Sequence, residues 1–85
     1  MKNFYVYMLL AKSNNKYLTY VGYTNNPNRR LNLHNSSKGA KFTKGRKWKF
    51  IYLKKYNSKI CALRHENLLK NDRKKRNNIK KLFTN

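Results

Sequence analysis

Residues 4–24 read FYVYMLLAKSNNKYLTYVGYT, two stretches rich in aromatic and β-branched residues on either side of a polar turn. The first stretch, Phe4 to Ala11, predicts a strand with Tyr5, Tyr7 and Leu9 on one face and the intervening residues on the other. The turn Lys12–Asn15 is made of residues that favour turns. The second stretch, Tyr17 to Thr24, is rich in residues that favour strands, so the segment predicts an antiparallel hairpin.

The register of this hairpin depends on the length of its turn. If the turn contains all four residues from Lys12 to Asn15, Tyr7 lies opposite Tyr20. Leu9 then lies opposite Leu18, and the two tyrosines share one face of the sheet. A slip of one residue would move a strand's side chains to the other face, so this register is an inference.

A helix follows the hairpin directly. Asn25-Asn26-Pro27 combines an asparagine cap with a proline at the first helical position, where its missing N–H costs nothing. We predict a helix from about Pro27 to Asn35. Arg30 and His34 are four residues apart and therefore share one face of it. Ala40 to Lys47 is predicted to be a basic loop.

The remaining chain predicts one more strand and two helices. Trp48 to Tyr56 is the strand, with Trp48, Phe50 and Tyr52 alternating with Lys49, Ile51 and Leu53. A helix begins at Asn57-Ser58 and continues through about Lys70, and a last, very basic helix covers Arg73 to Phe83. The predicted apolar contacts of these helices are Ile60, Leu63 and Leu68 in the first, and Ile79, Leu82 and Phe83 in the second.

The resulting order is β-β-α-β-α-α. A small three-stranded antiparallel sheet flanked by helices buries these faces, which predicts the α+β class. Eighty-five residues are enough for one domain, and we assign residues 1–85 to it.

The net charge of the chain indicates which kind of partner it binds. The chain has 22 Lys and Arg residues against two acidic residues, a net charge of +20. Such a chain repels itself and is expected to bind a polyanion, with DNA as the first candidate and RNA as the second. No apolar run approaches the roughly 18 residues of a membrane span, so no membrane partner is expected.

The cysteine count and the first residues give weaker indications of the cellular compartment and its redox state. Cys61 is the single cysteine, so no internal disulfide is expected and a core position is the simplest interpretation. The start, Met1-Lys2-Asn3, lacks the layout of a signal peptide. We expect an intracellular, cytoplasmic protein, with association with the nucleoid as a variant of that expectation. The oligomeric state is left open.

The two acidic residues are Glu66 and Asp72. Asp72 is predicted to cap the last helix. A site with two metal ions usually needs several carboxylates, which this chain cannot supply. The only metal-dependent chemistry left is therefore one that uses a single ion.

Several motifs together resemble the GIY-YIG nuclease superfamily, and within it the small stand-alone UPF0213-like group. Tyr5-Val6-Tyr7 stands at the first motif and Tyr20-Val21-Gly22 at the second. The segment from Tyr23 through Arg30 to His34-Asn35 continues the pattern, as does Lys38-Gly39-Ala40-Lys41-Phe42-Thr43. Ala62-Leu63-Arg64-His65-Glu66 resembles the helix that carries the family's metal-binding glutamate.

The resemblance implies a function for five residues. Tyr7 and Tyr20 correspond to the motif tyrosines, Arg30 to the catalytic arginine, and His34 to a position held by His or Tyr. Glu66 corresponds to the carboxylate that binds one divalent cation, Mg²⁺ or Mn²⁺. We predict these five as the catalytic residues, with Glu66 as the metal ligand.

Their chemistry suits phosphodiester cleavage. An arginine fork can bond two phosphate oxygens at once, and Mg²⁺ accepts one carboxylate completed by waters. A tyrosine whose pKa is lowered by nearby cations could remove a proton from water. Either Tyr7 or Tyr20 could act as this base, with His34 assisting.

The basic residues around this site are expected to contact nucleic acid: Arg29, Lys38, Lys41, Lys44 and Arg46. Phe42, Trp48 and Phe50 are candidates for base stacking, with Trp48 and Phe50 first expected in the core.

The sequence is compatible with two main classes of function and a third, weaker one. The first is a metal-dependent DNA endonuclease, selective for structure more than sequence, such as a DNA repair enzyme that acts on branched or damaged DNA. The alternative is a non-catalytic, basic nucleic-acid-binding module that keeps the nuclease fold. A basic protein associated with RNA is a third, weaker interpretation, because no RNA-reading aromatic motif is evident.

Overall fold

The computed structural model describes residues 3–84. Within that range the order is β-β-α-β-α-α, and the three strands form one antiparallel sheet in the order β2-β1-β3, which confirms the predicted α+β class. The elements are β1 Phe4–Ser13, β2 Lys16–Thr24, α1 Pro27–Asn35, a short 3-10 turn Lys41–Thr43, β3 Lys49–Tyr56, α2 Lys59–Asn71 and α3 Arg73–Lys81.

The hairpin turn is shorter than predicted. Only Asn14 (φ 50°) and Asn15 (φ 67°) lie outside the strands, both in the left-handed region that asparagine tolerates. Tyr7 consequently pairs with Gly22 and Tyr20 with Leu9, so the predicted register was wrong by two residues. Because side chains alternate with a period of two, this shift leaves Tyr7 and Tyr20 on the same face.

The central strand β1 is buried on both faces, from Val6 to Ala11. Val6, Met8 and Leu10 pack toward Ala62 and Leu69 of α2. Tyr7, Leu9 and Ala11 form a second cluster on the other face, which includes Trp48. A long apolar run in a central strand is what burial on both faces requires, and the two clusters separate the two sides of the molecule.

A bulge in β3 changes which residues share a face. Met8 pairs with Tyr52 and Leu9 with Phe50, so Ile51 is the extra residue. Phe50 joins the Tyr7 side, whereas Ile51 and Tyr52 both join the α2 side. The predicted alternation of Trp48, Phe50 and Tyr52 on one face is therefore wrong at Tyr52, because a bulge adds one residue to the two-residue period.

The helix α1 has the predicted bounds and the predicted cap. The Asn26 side chain accepts a hydrogen bond from the Arg29 backbone N–H, and Pro27 begins the helix. At the other end, the Asn35 side chain donates to the Trp48 carbonyl (3.1 Å) and accepts from the Trp48 N–H (2.6 Å). These bonds tie the end of α1 to the start of β3.

The predicted apolar contacts of α2 were wrong. Ile60 is 72% exposed and Leu68 58% exposed, whereas Ala62 and Leu69 are the buried residues of the helix. Small Ala62 lets the helix lie close to the sheet, and that contact decides which face turns inward. Cys61, expected in the core, is exposed because it lies beside this face.

The last helix is held more loosely than predicted. Ile79 packs against the α2-side core. Leu82 is 78% exposed and Phe83 45% exposed, so neither is the predicted anchor. Asp72 accepts a hydrogen bond from the Lys75 N–H and caps α3, as predicted. Across residues 3–84, we find no helix with the length and apolarity that a bilayer crossing requires.

Candidate active site

Tyr7 is the centre of the site and depends on a glycine beside it. Its side chain is buried, and its ring lies across Gly22 on the neighbouring edge strand β2. A Cβ at Gly22 would overlap the hydroxyl and the ring carbon that carries it. The glycine of Tyr20-Val21-Gly22 therefore makes room for the tyrosine of Tyr5-Val6-Tyr7, which explains physically why both motifs occur together.

Tyr7 and His34 belong to one buried chain of hydrogen bonds. The Tyr7 hydroxyl lies 2.9 Å from His34 Nε2, and His34 Nδ1 lies 2.8 Å from Thr43 Oγ1. The Thr43 hydroxyl also donates to the Ala40 carbonyl at 2.7 Å. His34 and Thr43 are both buried.

The end of this chain assigns the tautomer of neutral His34. Thr43 has one hydroxyl proton, and it is used on Ala40. Thr43 Oγ1 must therefore accept from His34 Nδ1–H. His34 Nε2 then carries no proton and accepts from the Tyr7 hydroxyl. Every donor in the chain points away from Tyr7, which leaves the Tyr7 oxygen free to accept a hydrogen bond from water.

A second glycine fits the histidine into place. A Cβ at Gly39 would overlap His34 Nδ1 and approach the His34 main chain. The sequence-based prediction assigned no role to Gly39 or Thr43. Their presence in the Lys38–Thr43 motif was the available signal, but the sequence does not show that this loop folds back onto His34.

The pKa shifts of the two groups favour their neutral forms. Burial raises the pKa of Tyr7 well above its ordinary value. Tyr20 and Glu66 act in the same direction, and the Arg30 guanidinium opposes them. Burial lowers the pKa of His34, and Arg30 lowers it further. The expected lowering of a tyrosine pKa by nearby cations is therefore wrong for Tyr7, because burial outweighs the single cation Arg30.

Tyr20 lies beside this chain and carries an exposed aromatic neighbour. Its ring centroid is 6.4 Å from that of Tyr7 and 5.0 Å from that of His34. Phe42 stacks on Tyr20, with an interplanar angle of 19°, and is 47% exposed. Three residues were candidates for base stacking. Trp48 is buried in the core and donates its indole N–H to the Thr43 carbonyl, and Phe50 is partly buried against the Tyr7 cluster. Phe42 is therefore the most accessible of the three.

Arg30 lies on α1, and its positive charge lowers the pKa of both Tyr7 and His34. It also borders two hollows, of about 250 and 140 Å³, that share Thr24 and Asn25. Its neighbour Arg29 is exposed. An arginine that borders an open hollow can hold a phosphate there.

Glu66 comes from α2, on the inward-facing side marked by Ala62 and Leu69. Its side chain is 15% exposed, and Oε2 lies 3.5 Å from Lys70 Nζ. The negative charge of Glu66 contributes to the raised pKa of Tyr7, as the last of four causes. Of the five predicted catalytic residues, the structure brings the rings of Tyr7, Tyr20 and His34 together, and the charges of Arg30 and Glu66 act on the pKa of Tyr7.

Glu66 also decides what kind of metal site fits. Residues 3–84 contain no group of three or more His, Cys, Asp and Glu side chains that could enclose an ion. Asp72, the other acidic residue, caps α3. A single carboxylate fits a Mg²⁺ ion that keeps most of its waters, and it fits poorly with an ion that needs a full set of protein ligands.

The predicted nucleic-acid contacts divide into two kinds. Arg29, Lys38, Lys41 and Lys44 are exposed. Arg46 is half-buried: it donates to the Phe42 carbonyl, and its guanidinium lies 5.3 Å from the centre of the Phe42 ring. Arg46 therefore holds the loop that carries Phe42, in addition to its predicted role.

This chain is similar in sequence to a known protein family. The family model described as the GIY-YIG catalytic domain matches residues 3–80. No solved structure gives a significant match.

Three relatives illustrate the range of similarity. The UPF0213 protein OB0043 of Oceanobacillus iheyensis is 40% identical over 78% of this chain and 74% of its own length. The uncharacterized protein L300 of Acanthamoeba polyphaga mimivirus is 39% identical over the whole of this chain, which spans about half (53%) of that relative. A structure-specific endonuclease subunit SLX1 homolog of Brugia malayi is 41% identical over 86% of this chain and 24% of its own length.

The match over residues 3–80 covers both tyrosine motifs, the arginine and histidine of α1 and the glutamate of α2. The predicted resemblance is confirmed: the chain belongs to the GIY-YIG catalytic-domain family and is a small, UPF0213-like member of it.

Proposed function

We propose that this chain is a DNA endonuclease that hydrolyses phosphodiester bonds with the help of one divalent cation, and that it selects DNA by structure more than by sequence. The observation that carries the proposal is the oriented chain from Tyr7 through His34 to Thr43, beside Arg30. The relative named as a structure-specific endonuclease subunit homolog supports the reaction class and the mode of selection.

The hydrogen-bond chain supports Tyr7 as the residue that receives the proton of the attacking water. The water donates to the Tyr7 oxygen while the Tyr7 proton moves to His34 Nε2. The water oxygen forms its bond to phosphorus, and the P–O bond to the leaving oxygen breaks. His34 becomes an imidazolium, and Tyr7 remains a neutral phenol throughout, which fits its raised pKa.

Arg30 serves this step in two ways. Its guanidinium can bond two phosphate oxygens and offset the charge that builds up on them. Without substrate, Arg30 disfavours the imidazolium form of His34. A bound phosphate neutralises Arg30 and removes that penalty, so proton transfer to His34 becomes easier when substrate is present.

Glu66 is the residue that would hold the cation, with waters and phosphate oxygens completing its shell. When bound, such an ion polarises the phosphate and stabilises the leaving oxygen. The exposed cations beside the site, such as Lys41 and Lys44, contact phosphates and carry no information about base sequence. Selection by shape follows from that pattern of contacts.

The test is cleavage of a panel of DNAs by pure protein with Mg²⁺ or Mn²⁺. The panel contains duplex, single-stranded, flap and junction DNA. We expect cleavage by the unmodified chain, strong loss in Arg30→Ala and Glu66→Gln, and near-normal cleavage in Arg73→Ala, the matched loss of an exposed arginine on α3. Cleavage that persists in both site variants would indicate a contaminating nuclease and contradict the proposal.

The alternative is a non-catalytic nucleic-acid-binding module. The net charge of +20 favours it, because binding alone needs only the exposed cations. It predicts no cleavage of any DNA in the panel and an affinity that Glu66→Gln leaves unchanged. The proposed nuclease instead predicts that Mg²⁺ strengthens binding of uncleavable DNA in the unmodified chain and has no such effect in Glu66→Gln.

A further inference from the structure

A second candidate site lies on the other side of the sheet from Tyr7. It is a cavity of about 500 Å³ between β3, α2 and α3, larger than either hollow beside Arg30. We call it the aromatic cavity, because its lining includes the rings of Tyr52, Tyr56 and His65. None of these residues takes part in the Tyr7 site.

Two local features place the three rings at the aromatic cavity. The bulge at Ile51 turns Tyr52 to the α2 side of β3, where plain alternation would not place it. His65 of α2 stacks on Tyr56, with ring centroids 4.6 Å apart and planes 23° apart. The stacked pair and Tyr52 line an opening that solvent can enter. His65 covers one face of Tyr56, so a flat ligand has the outer face of His65, or the face of Tyr52 once the flexible Lys75 side chain moves off it.

Cations lie over this surface. Lys54 Nζ lies 5.8 Å from the centre of the Tyr56 ring, and Lys75 Nζ lies 5.7 Å from the centre of the Tyr52 ring. Both lysines line the cavity and are exposed. Asp72, the carboxylate there, uses Oδ1 to cap α3. A ligand for this cavity therefore combines a flat, stackable group with negative charge.

We propose that the aromatic cavity binds an unstacked base of single-stranded nucleic acid, with Lys54 and Lys75 on the adjoining phosphates. Aromatic rings beside a cationic surface are the usual means of holding single strands, because every base has a face that can stack. An acidic peptide would satisfy the lysines but leave the rings without a stacking partner. Duplex nucleic acid would offer phosphates but no accessible base face.

This inference goes beyond the proposed cleavage and does not depend on it. Its test is binding of a labelled 15-nucleotide oligo-dT to the full chain in EDTA, measured by fluorescence anisotropy. Failure of cleavage leaves this measurement unaffected.

The decisive comparison uses two double variants with equal charge. Lys54→Ala with Lys75→Ala removes the cavity lysines, and Lys55→Ala with Lys74→Ala removes exposed neighbours from the same strand and the same helix that are not part of the cavity lining. We expect the cavity variant to bind oligo-dT about fivefold or more weakly than the control variant, because it loses two phosphate contacts that the control variant keeps. Equal affinities would overturn the proposal.

A second measurement asks where the base lies. An oligonucleotide carrying 5-iodouracil is cross-linked by light, and the adduct is located by mass spectrometry. Adducts on Tyr52, Tyr56 or His65 support the cavity; adducts confined to Tyr20 or Phe42 overturn it. An abasic oligomer of the same length, with phosphates but no bases, is expected to bind about fivefold or more weakly to the unmodified chain.

One other polyanion separates nucleic acid from an acidic protein partner. Poly-glutamate of matched charge is expected to bind the cavity variant and the control variant with equal affinity, measured directly. Poly-glutamate binding that drops only in the cavity variant, together with unchanged oligo-dT binding, would assign the cavity to an acidic peptide and contradict the proposal.

Discussion

The Thr43 hydroxyl fixes which ring nitrogen of neutral His34 carries the proton. Because its proton is used on Ala40, its oxygen holds the proton of His34 on Nδ1 and leaves Nε2 open for Tyr7. In the proposed reaction Thr43 acts through His34, which it contacts directly. It is a positioning residue, and its removal should alter how the rate depends on pH as well as the rate itself.

Thr43→Val keeps the size of the side chain and removes the hydroxyl. We expect the free energy of unfolding to fall by about 1–3 kcal/mol, because the buried His34 Nδ1–H loses its partner. We also expect the cleavage rate to fall at least about tenfold, since neutral His34 can then place its proton on Nε2 and no longer accept from Tyr7. The measurements are urea unfolding and the cleavage rate from pH 6 to 9.

Thr43→Ser is the matched control because it retains the hydroxyl and loses only a methyl group. It should keep the cleavage rate and the shape of the pH profile. If Thr43→Ser and Thr43→Val have equal rates and profiles, the hydroxyl does not orient His34.

His34 also makes stability depend on pH. Its folded-state pKa lies below the ordinary value because of burial and Arg30. The unfolded chain therefore takes up a proton near pH 6.5 while the folded chain does not. The free energy of unfolding should be at its full value above about pH 6.5 and fall as the pH falls through that value toward the lower folded-state pKa.

Urea unfolding at pH 7.5, 6.5 and 5.5 checks this dependence. The unmodified chain and His65→Gln should lose stability as the pH falls, and His34→Gln should lose much less. A loss of equal size in all three proteins would assign the effect to other groups.

At the scale of elements, α1 positions Arg30 and His34 by being fixed at both ends. Asn26 caps its start, and Asn35 makes two hydrogen bonds with the Trp48 backbone. The second contact matters more for the site, because it connects the helix with β3 and the buried end of the Thr43 loop.

Asn35→Ala should lower the free energy of unfolding by about 1–3 kcal/mol, since it leaves the Trp48 N–H and carbonyl without these partners. Asn32→Ala is its control on the same helix, at an exposed position, and should change stability by less than about 0.5 kcal/mol. Thermal unfolding of both variants measures the difference. Equal changes in the two variants would mean that the Asn35 hydrogen bonds add nothing to stability, because the gain in helix propensity from Asn to Ala is common to both.

The elements were largely predictable because their signals are local. Asn26-Pro27 marks the start of α1, and the period-two pattern marks β1. The errors came from contacts made at a distance. The bulge at Ile51 and the inward turn of Ala62 depend on how a strand and a helix fit the rest of the sheet, which no short window of sequence contains.

The same distinction applies to the site. Tyr7, Tyr20 and His34 were predicted from motifs, and the structure places their rings together. Thr43 and the two close-packed glycines, Gly22 and Gly39, received no role from sequence. Their roles depend on tertiary contacts: Thr43 bonds to His34, Gly22 packs against Tyr7, and Gly39 packs against His34.

At the scale of the whole molecule, the sheet separates two kinds of surface. The Tyr7 side holds the hydrogen-bonded chain of Tyr7, His34 and Thr43, and the α2 side holds the aromatic cavity. A net charge of +20 surrounds both. Such a charge attracts any polyanion, so only the arrangement of its cations can make one face a better binding surface than another.

The dependence of binding on salt measures that arrangement. For duplex DNA, log affinity falls with log salt by about 0.9 for each phosphate neutralised. Lys41→Gln with Lys44→Gln removes two exposed cations beside Phe42 and should reduce the slope by about 1.8. Lys12→Gln with Lys16→Gln removes the same charge at the hairpin turn, away from the site, and should leave the slope nearly unchanged. If both pairs reduce the slope equally, duplex DNA is held by overall charge, and the Lys41–Thr43 loop is no preferred contact.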